Sequence, residues 1–384
     1  MRTSTLRGAA VLFAVFACIW SAGAAGLGMV VGPYLNQPTQ HGMVVRWETD
    51  APATSLVRWG RKVPLAEETG AEGLRTLHEV ALAGLEPGTP YFYQTVSRDD
   101  AGNETASEVY TFGTAVDRDG AFGFVVLSDT QENPVTLRAL ATYAYGQRPS
   151  FTLLSGDLVG DGNDKAQYTE HLFPNMAPLN TRVPLVPILG NHDNNSKYYY
   201  GYFSAPEPKY YFQFDYGNLA VFMVDSQKPL RSSSETHQWL DKALGKSKAT
   251  WKMVMLHRPP YSSDEDDYGD TGKGPSIMGD ANVRALAPLC EKHRVDVVWA
   301  GHIHSYERTW PLRDGKPVSA KKGVLYMVTG GGGGLEKAAP VRTPLSAKVY
   351  SGHHYCYVMV NGKTLRIEAY DIDNHLFDFV ELAK

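Results

Sequence analysis

Phe124-Val-Val-Leu-Ser-Asp129 decides how this chain folds, because it is one of five short apolar runs that each stop on a residue able to hold a metal. The others are Phe151-Thr-Leu-Leu-Ser-Gly-Asp157, Val186-Pro-Ile-Leu-Gly-Asn191-His192-Asp193, Met253-Val-Met-Leu-His257 and Val295-Asp-Val-Val-Trp-Ala-Gly-His302-Ile-His304. Runs of this length, bounded by Gly, Pro and Asp, read as buried strands. In open α/β sheets the ligand site lies beyond the carboxyl ends of the strands. Segments far apart in the chain are therefore expected to meet, bringing Asp129, Asp157, Asn191, His257, His302 and His304 together. Those oxygen and nitrogen donors suit a pair of divalent or mixed-valence cations.

The 384 residues are long for one core, so two domains are expected. With 43% hydrophobic and 20% charged residues the composition is that of a globular protein. Net charge is −4 and no basic run occurs, which argues against a nucleic-acid partner. Residues 1–25 read as a signal peptide: Arg2 and Arg7, an apolar Ala9 to Trp20, then Ala22-Gly23-Ala24. The apolar stretch is too short for a membrane span. Cys18 is followed by Ile19, where a lipoprotein would carry a small residue. A secreted or periplasmic protein is expected, with no transmembrane span after cleavage. Cys290 and Cys356 remain, and two separate buried thiols are favoured over a disulfide.

Residues 28–115 alternate hydrophobic and polar in short runs such as Met43-Val-Val-Arg-Trp-Glu and Ser55-Leu-Val-Arg-Trp-Gly. Asp50-Ala-Pro, Glu86-Pro-Gly and Asp100-Ala-Gly-Asn read as turns between them. This pattern predicts an all-β sandwich with a scaffolding role. Leu85 to Tyr93 resembles the tyrosine corner of fibronectin type III domains. After the linker Val116 to Gly120, residues 121–384 alternate strands with helical stretches, Thr236 to Leu244 and Asn282 to His293 among them, which predicts an α/β domain.

Asp129-Thr-Gln131, Gly156-Asp157, Gly190 to Asp193, Val254 to Tyr261 and Gly301 to Arg308 together resemble the calcineurin-like metallophosphoesterases, in their purple-acid-phosphatase-like branch. Any one motif alone is weak, and five in order are specific. The resemblance implies a C-terminal α/β domain of two mixed β-sheets, sandwiched and flanked by helices. It also implies two metal ions (Fe, Zn or Mn) and a small-molecule phosphate ester as substrate. Carried over, Asp129, Asp157 and His304 hold one metal; Asp157, Asn191, His257 and His302 hold the other, with Asp157 bridging. His192 is the expected catalytic residue, oriented by Asp193, and the implied reaction is attack on a monoester by a metal-bound hydroxide. A phosphodiesterase or nucleotide hydrolase is the alternative, and a non-catalytic surface protein a more distant one. Oligomeric state is left open.

Two departures matter. Purple acid phosphatases carry a tyrosine ligand three residues after the bridging Asp, and Gly160 stands here, so no tyrosinate colour is expected. Gln131 is a candidate to fill that coordination place or to hydrogen-bond the bridging hydroxide. The plant enzymes also bind phosphate with His residues beyond the metal His, where this chain has the acidic Ser263 to Asp270. Gly330 to Gly334 reads as a turn bordering the site. The aromatic run Tyr198 to Phe203 reads as core packing ahead of a platform for a leaving group.

Overall fold

The computed structural model describes residues 26–263, 279–335 and 343–384. The leader expected over residues 1–25 and the acidic stretch Asp264 to Asp270 lie outside them.

The N-terminal part is a sandwich of β1 (Met29–Asn36), β2 (Gly42–Gly60), β3 (Glu67–Ala83), β4 (Pro90–Arg98), β5 (Glu104–Ala106) and β6 (Tyr110–Gly113). Alternate residues of β2 and β4, including Met43, Val45, Trp47, Tyr91 and Tyr93, pack into its core. The Tyr91 hydroxyl accepts a hydrogen bond from the Glu86 amide at 2.9 Å, which fixes the corner before β4. Asp50-Ala-Pro is not a turn between strands, as its composition suggests; it lies inside β2. The register against β3 jumps there, from Glu48 opposite Leu77 to Ala53 opposite Arg75. Pro52 has no amide to give a ladder, so a bulge accommodates it without ending the strand. Before the bulge β2 pairs with β1, and after it with β4.

The second part is built on two sheets. The first contains β7 (Phe122–Leu127), β8 (Thr152–Leu154) and β9 (Leu185–Pro187), all parallel. The second contains β10 (Tyr211–Tyr216), β11 (Leu219–Val224), β12 (Trp251–Met255), β13 (Val297–Ala300) and β14 (Tyr306–Thr309). A small hairpin, β15 (Leu312–Arg313) with β16 (Lys316–Pro317), precedes β17 (Leu325–Thr329) and β18 (Ser346–Tyr350). The second sheet is ordered β10-β11-β12-β13-β17-β14-β18, with β11, β12, β13 and β17 parallel. The chain then returns through β19 (His354–Asn361), β20 (Thr364–Asp371) and β21 (Leu376–Ala383), and β19 joins the first sheet antiparallel to β7.

Phe124, Phe151, Met253, Trp299 and Cys356 lie in the apolar layer between the sheets. The outer face of the first sheet packs against α1 (Pro134–Gly146), α2 (Phe173–Asn180) and α3 (Lys197–Tyr202). That of the second packs against α4 (Glu235–Lys246), α5 (Ala281–Arg284) and α6 (Ala287–Lys292). The single helix expected from Asn282 to His293 is broken in two. Pro288 cannot donate an amide and its ring would crowd the carbonyl one turn back, so the helix restarts at Ala287. Cys290 and Cys356 are free buried thiols in different clusters. Tyr199, Tyr202 and Phe203 are core residues, as the sequence favours. Among the described residues no helix is long and apolar enough to cross a membrane.

The two parts join through paired backbone and buried polar contacts. β1 meets β9 at Asn36 and Leu185, where the Asn36 amide donates to the Leu185 carbonyl at 2.9 Å. Buried Glu48 accepts from the Tyr202 hydroxyl at 2.6 Å and pairs with Lys165, while Tyr34 donates to the Tyr202 carbonyl at 2.7 Å.

Candidate metal centre

All six expected donors follow the carboxyl ends of parallel strands: Asp129 after β7, Asp157 after β8, Asn191 after β9, His257 after β12, and His302 and His304 after β13. Strand register persists into these loops. The Asp129 amide donates to the Gly156 carbonyl at 3.1 Å, and the Gly301 amide to the His257 carbonyl at 2.9 Å. Asp129, Asp157 and His302 have φ of 55°, 49° and 71°, the left-handed region that non-glycine residues seldom enter. Such strain persists where surrounding structure over-determines it, commonly at functional sites.

Asp157, His257 and His302 each place a ligand atom within 4.8 Å of the other two, and all are buried. His257 Nε2 stands 3.1 Å from Asp157 Oδ2 and 3.1 Å from Asn191 Oδ1, while its Nδ1 faces the Ser155 carbonyl at 2.8 Å. Both ring nitrogens therefore face oxygen acceptors. Burial disfavours the charged ring, but the carboxylates of Asp157 and Asp129 outweigh it and raise His257 to about 9. Burial acts against Asp157 too, yet His257 and the His192 amide hold its carboxyl below the usual range. Burial, with the positive His257 and Arg258 nearby, lowers His302 to about 2, so its ring is neutral.

A second group adjoins the first. His304 Nε2 is 3.5 Å from Asp129 Oδ1 and 3.1 Å from Gln131 Nε2. The Asp129 carboxylate accepts from the His302 amide at 2.9 and 3.0 Å, which ties the first sheet's ligand to the second sheet's loop. Gln131 Oε1 is buried without a hydrogen-bond partner. An amide oxygen left that way is costly, and a cation would satisfy it. A Cβ added at Gly160 would lie 3.9 Å from Gln131 Cβ, so Gln131 flanks the space a side chain at 160 would enter. The donor set thus fits metal ions on its chemistry and on this orphaned oxygen.

His192 is half-buried. Its amide donates to Asp157 Oδ1 at 2.8 Å, and its Nδ1 lies 2.9 Å from the Gly160 carbonyl. Asp193 does not orient that ring. Its carboxylate accepts from the Gly190 amide at 2.8 Å and the Leu158 amide at 3.1 Å, fixing the two loops that carry Asn191 and Asp157. Burial, reinforced by the Asp157 charge, raises Asp193 to about 8. Glycine packing closes the rear. A Cβ at Gly301 would overlap the Asp129 carboxylate, and one at Gly334 would sit 2.9 Å from His304 Nδ1. The Gly330 to Gly334 turn therefore borders the site.

Sequence reasoning gave no role to Arg258, Glu307 or Asp378. Arg258 Nη1 is 2.9 Å from His302 Nε2 and its Nη2 is 3.5 Å from Asn191 Oδ1. Buried Glu307 accepts from Ser262 at 3.2 Å and from the Ser263 amide and hydroxyl at 2.8 Å each. Arg308 makes a two-pronged pair with Asp378, at 2.7 and 2.9 Å, and Tyr306 joins it at 2.7 Å. For Arg258 and Glu307 the available signal was their position just after the ligand histidines, whereas Asp378, in β21, carried none.

Residues 122–306 match the family model described as calcineurin-like phosphoesterase, and residues 31–114 match the purple acid phosphatase N-terminal domain. The chain carries a calcineurin-like phosphoesterase domain behind a purple acid phosphatase N-terminal domain. It is 28% identical to purple acid phosphatase 21 of Arabidopsis thaliana, over 68% of this chain and 60% of that protein. It is 23% identical to a nucleotide pyrophosphatase/phosphodiesterase of Hordeum vulgare, over 54% of this chain and 61% of that one. The chain thus spans less than two thirds of these curated relatives. A purple acid phosphatase from yellow lupin (Lupinus luteus) seeds shares the fold, with a TM-score of 0.79 at 19% identity over 91% of this chain and 74% of that one.

Proposed function

We propose that this chain is an exported dinuclear-metal phosphoesterase that hydrolyses small-molecule phosphate monoesters. The observation that carries the reading is the buried cluster of Asp157, His257 and His302, adjoined by a second group of Asp129, His304 and the partnerless Gln131 oxygen. Asp129, Asp157, His304 and Gln131 would hold one cation; Asp157, Asn191, His257 and His302 would hold the other. The donors suit Fe, Zn or Mn. A bound pair supplies a nucleophile by acidifying water and offsets phosphoryl charge.

The protein's own residues do the rest. The Gly160 carbonyl fixes His192 through Nδ1, leaving Nε2 as the atom that passes a proton to the leaving oxygen. Asp193 holds the loops of Asp157 and Asn191 in register. The sandwich braces the same lobe through Glu48, Lys165 and Tyr202. The apolar stretch ending in Ala22-Gly23-Ala24 supports export.

Metal-stripped protein should lose p-nitrophenyl phosphate hydrolysis and regain it on adding back cation; full activity after stripping would end the proposal. A diesterase reading is favoured by the barley relative named as a phosphodiesterase. Faster turnover of bis(p-nitrophenyl) phosphate than of the monoester would select it.

A further inference from the structure

The second sheet carries a cavity on the rim opposite the metal centre. The three histidines follow the carboxyl ends of β12 and β13, whereas Trp251, Asp296 and Leu325, at or just before the amino ends of β12, β13 and β17, line this cavity. The five residues of β12 alone set the two rims roughly 16 Å apart, at about 3.3 Å each. Its volume is about 800 Å³, a size that suits a small molecule.

The wall is strongly positive on a chain whose net charge is −4. Six cationic residues line it against two carboxylates, Glu291 and Asp296. Asp296 accepts from the Lys252 amide and from Lys384 Nζ, each at 2.8 Å, and Lys292 pairs with Asp241 at 2.7 Å. Glu291 accepts from the Asp314 amide at 2.9 Å. Arg294, Arg313, Lys321 and Lys322 are exposed, and none of them makes an ion pair among the described residues. They come from the end of α6, from β15 and from the turn before β17, so no basic run betrays them in the sequence.

The turn that bears Lys321 and Lys322 is pinned in place. Leu312 and Val324 exchange backbone hydrogen bonds at 2.8 and 2.9 Å, and a Cβ at Gly323 would overlap both Val318 and the Pro311 carbonyl carbon. Like charges held together repel, and a cleft lined by one sign concentrates the opposite ion. Arg294 and Arg313 add planar forks that match phosphate or sulfate oxygens. Trp251, the one aromatic residue in the wall, is wholly buried and has Lys384 Nζ 4.7 Å from its ring centre, so no open ring face awaits a base.

We propose that this cavity is a second ligand site, for a small anion carrying several phosphate or sulfate groups and no stacked base. It is separate from the dinuclear centre and independent of what that centre does.

The test is calorimetry on the full chain stripped of metal, so that no cation at the opposite rim draws the anion, with tripolyphosphate as the probe. Tripolyphosphate should bind about tenfold or more tightly than orthophosphate, because it reaches several cations at once. Arg313→Gln and Lys321→Gln together should weaken it about tenfold or more, and raising the salt should weaken it further. Lys62→Gln, which removes an exposed cation of the sandwich, should leave the affinity unchanged. These side chains are exposed, so circular dichroism should show all variants folded. Equal affinity in the double variant and the wild type, or an equal loss with Lys62→Gln, would overturn the site. Adenosine triphosphate binding well above tripolyphosphate would overturn the ligand class. So would sedimentation with equimolar phosphatidylglycerol and phosphatidylcholine vesicles by a chain that gives no heat with tripolyphosphate.

Discussion

Raising the pH of the metal-free protein should destabilise it, and the size of the effect follows from His257. The ring is buried between Asp157 Oδ2, Asn191 Oδ1 and the Ser155 carbonyl, and its pKa rises from an ordinary 6.5 to about 9. A group that holds its proton more tightly when folded adds stability below its unfolded value. That stability is lost as pH climbs through the folded one. The window is therefore pH 6.5 to 9, and the loss is about 3 kcal/mol at roughly 1.4 kcal/mol per tenfold. Asp193, raised from 3.8 to about 8, acts in the same direction over a lower window. Both groups face Asp157, so their effects overlap without adding fully. For a chain this size about 3 kcal/mol corresponds to a melting shift on the order of 5 °C. Thermal melts of chelator-stripped protein at pH 6.5, 8 and 9.5, followed by circular dichroism, measure it. His257→Gln should flatten the profile, and cation-loaded protein should show little slope because the ligand ring is already deprotonated. A metal-free melting point that holds steady or rises from pH 6.5 to 9.5 would refute this account of the site.

Four substitutions probe the rest. Asp157→Asn should cut turnover about a thousandfold or more, since the side chain reaches His257 and the His192 amide together; steady-state rates on p-nitrophenyl phosphate check it. Gln131→Ala should lower cation occupancy at the Asp129 and His304 site, read by elemental analysis, whereas unchanged occupancy assigns the amide a hydrogen-bonding role only. Asp378→Ala strips Arg308 and Tyr306 of their buried partner and should cost about 3 kcal/mol in urea unfolding. Gly330→Ala pushes a methyl against the Ile303 carbonyl and to 3.0 Å from Asp129 Oδ2, so calorimetry should show weakened cation binding at the Asp129 site.

The donors were legible in the sequence for a physical reason. Strands such as β7, β8, β12 and β13 are buried almost throughout, so they read as mainly apolar runs and the first residue able to hold a metal after each one stands out. Relations between distant loops left no such mark. Arg258 looked like a spectator beside His257, because its contact is with His302, 44 residues on. Asp193 looked like a partner for the adjacent ring, yet its carboxylate reaches sideways to Leu158 and Gly190. Asp50-Ala-Pro has turn composition and reads as a turn, and only the pairing with β3 shows β2 continuing through it.

Because Asp129, Asp157 and Asn191 come from one sheet and the three histidines from the other, neither sheet alone holds a complete cation cage. Cation uptake should consequently be among the last events of assembly, and it should act as a non-covalent cross-link that staples two independently hydrogen-bonded layers along their shared rim. Slow cation release would then report separation of that rim, with no chemistry at phosphorus required to see it.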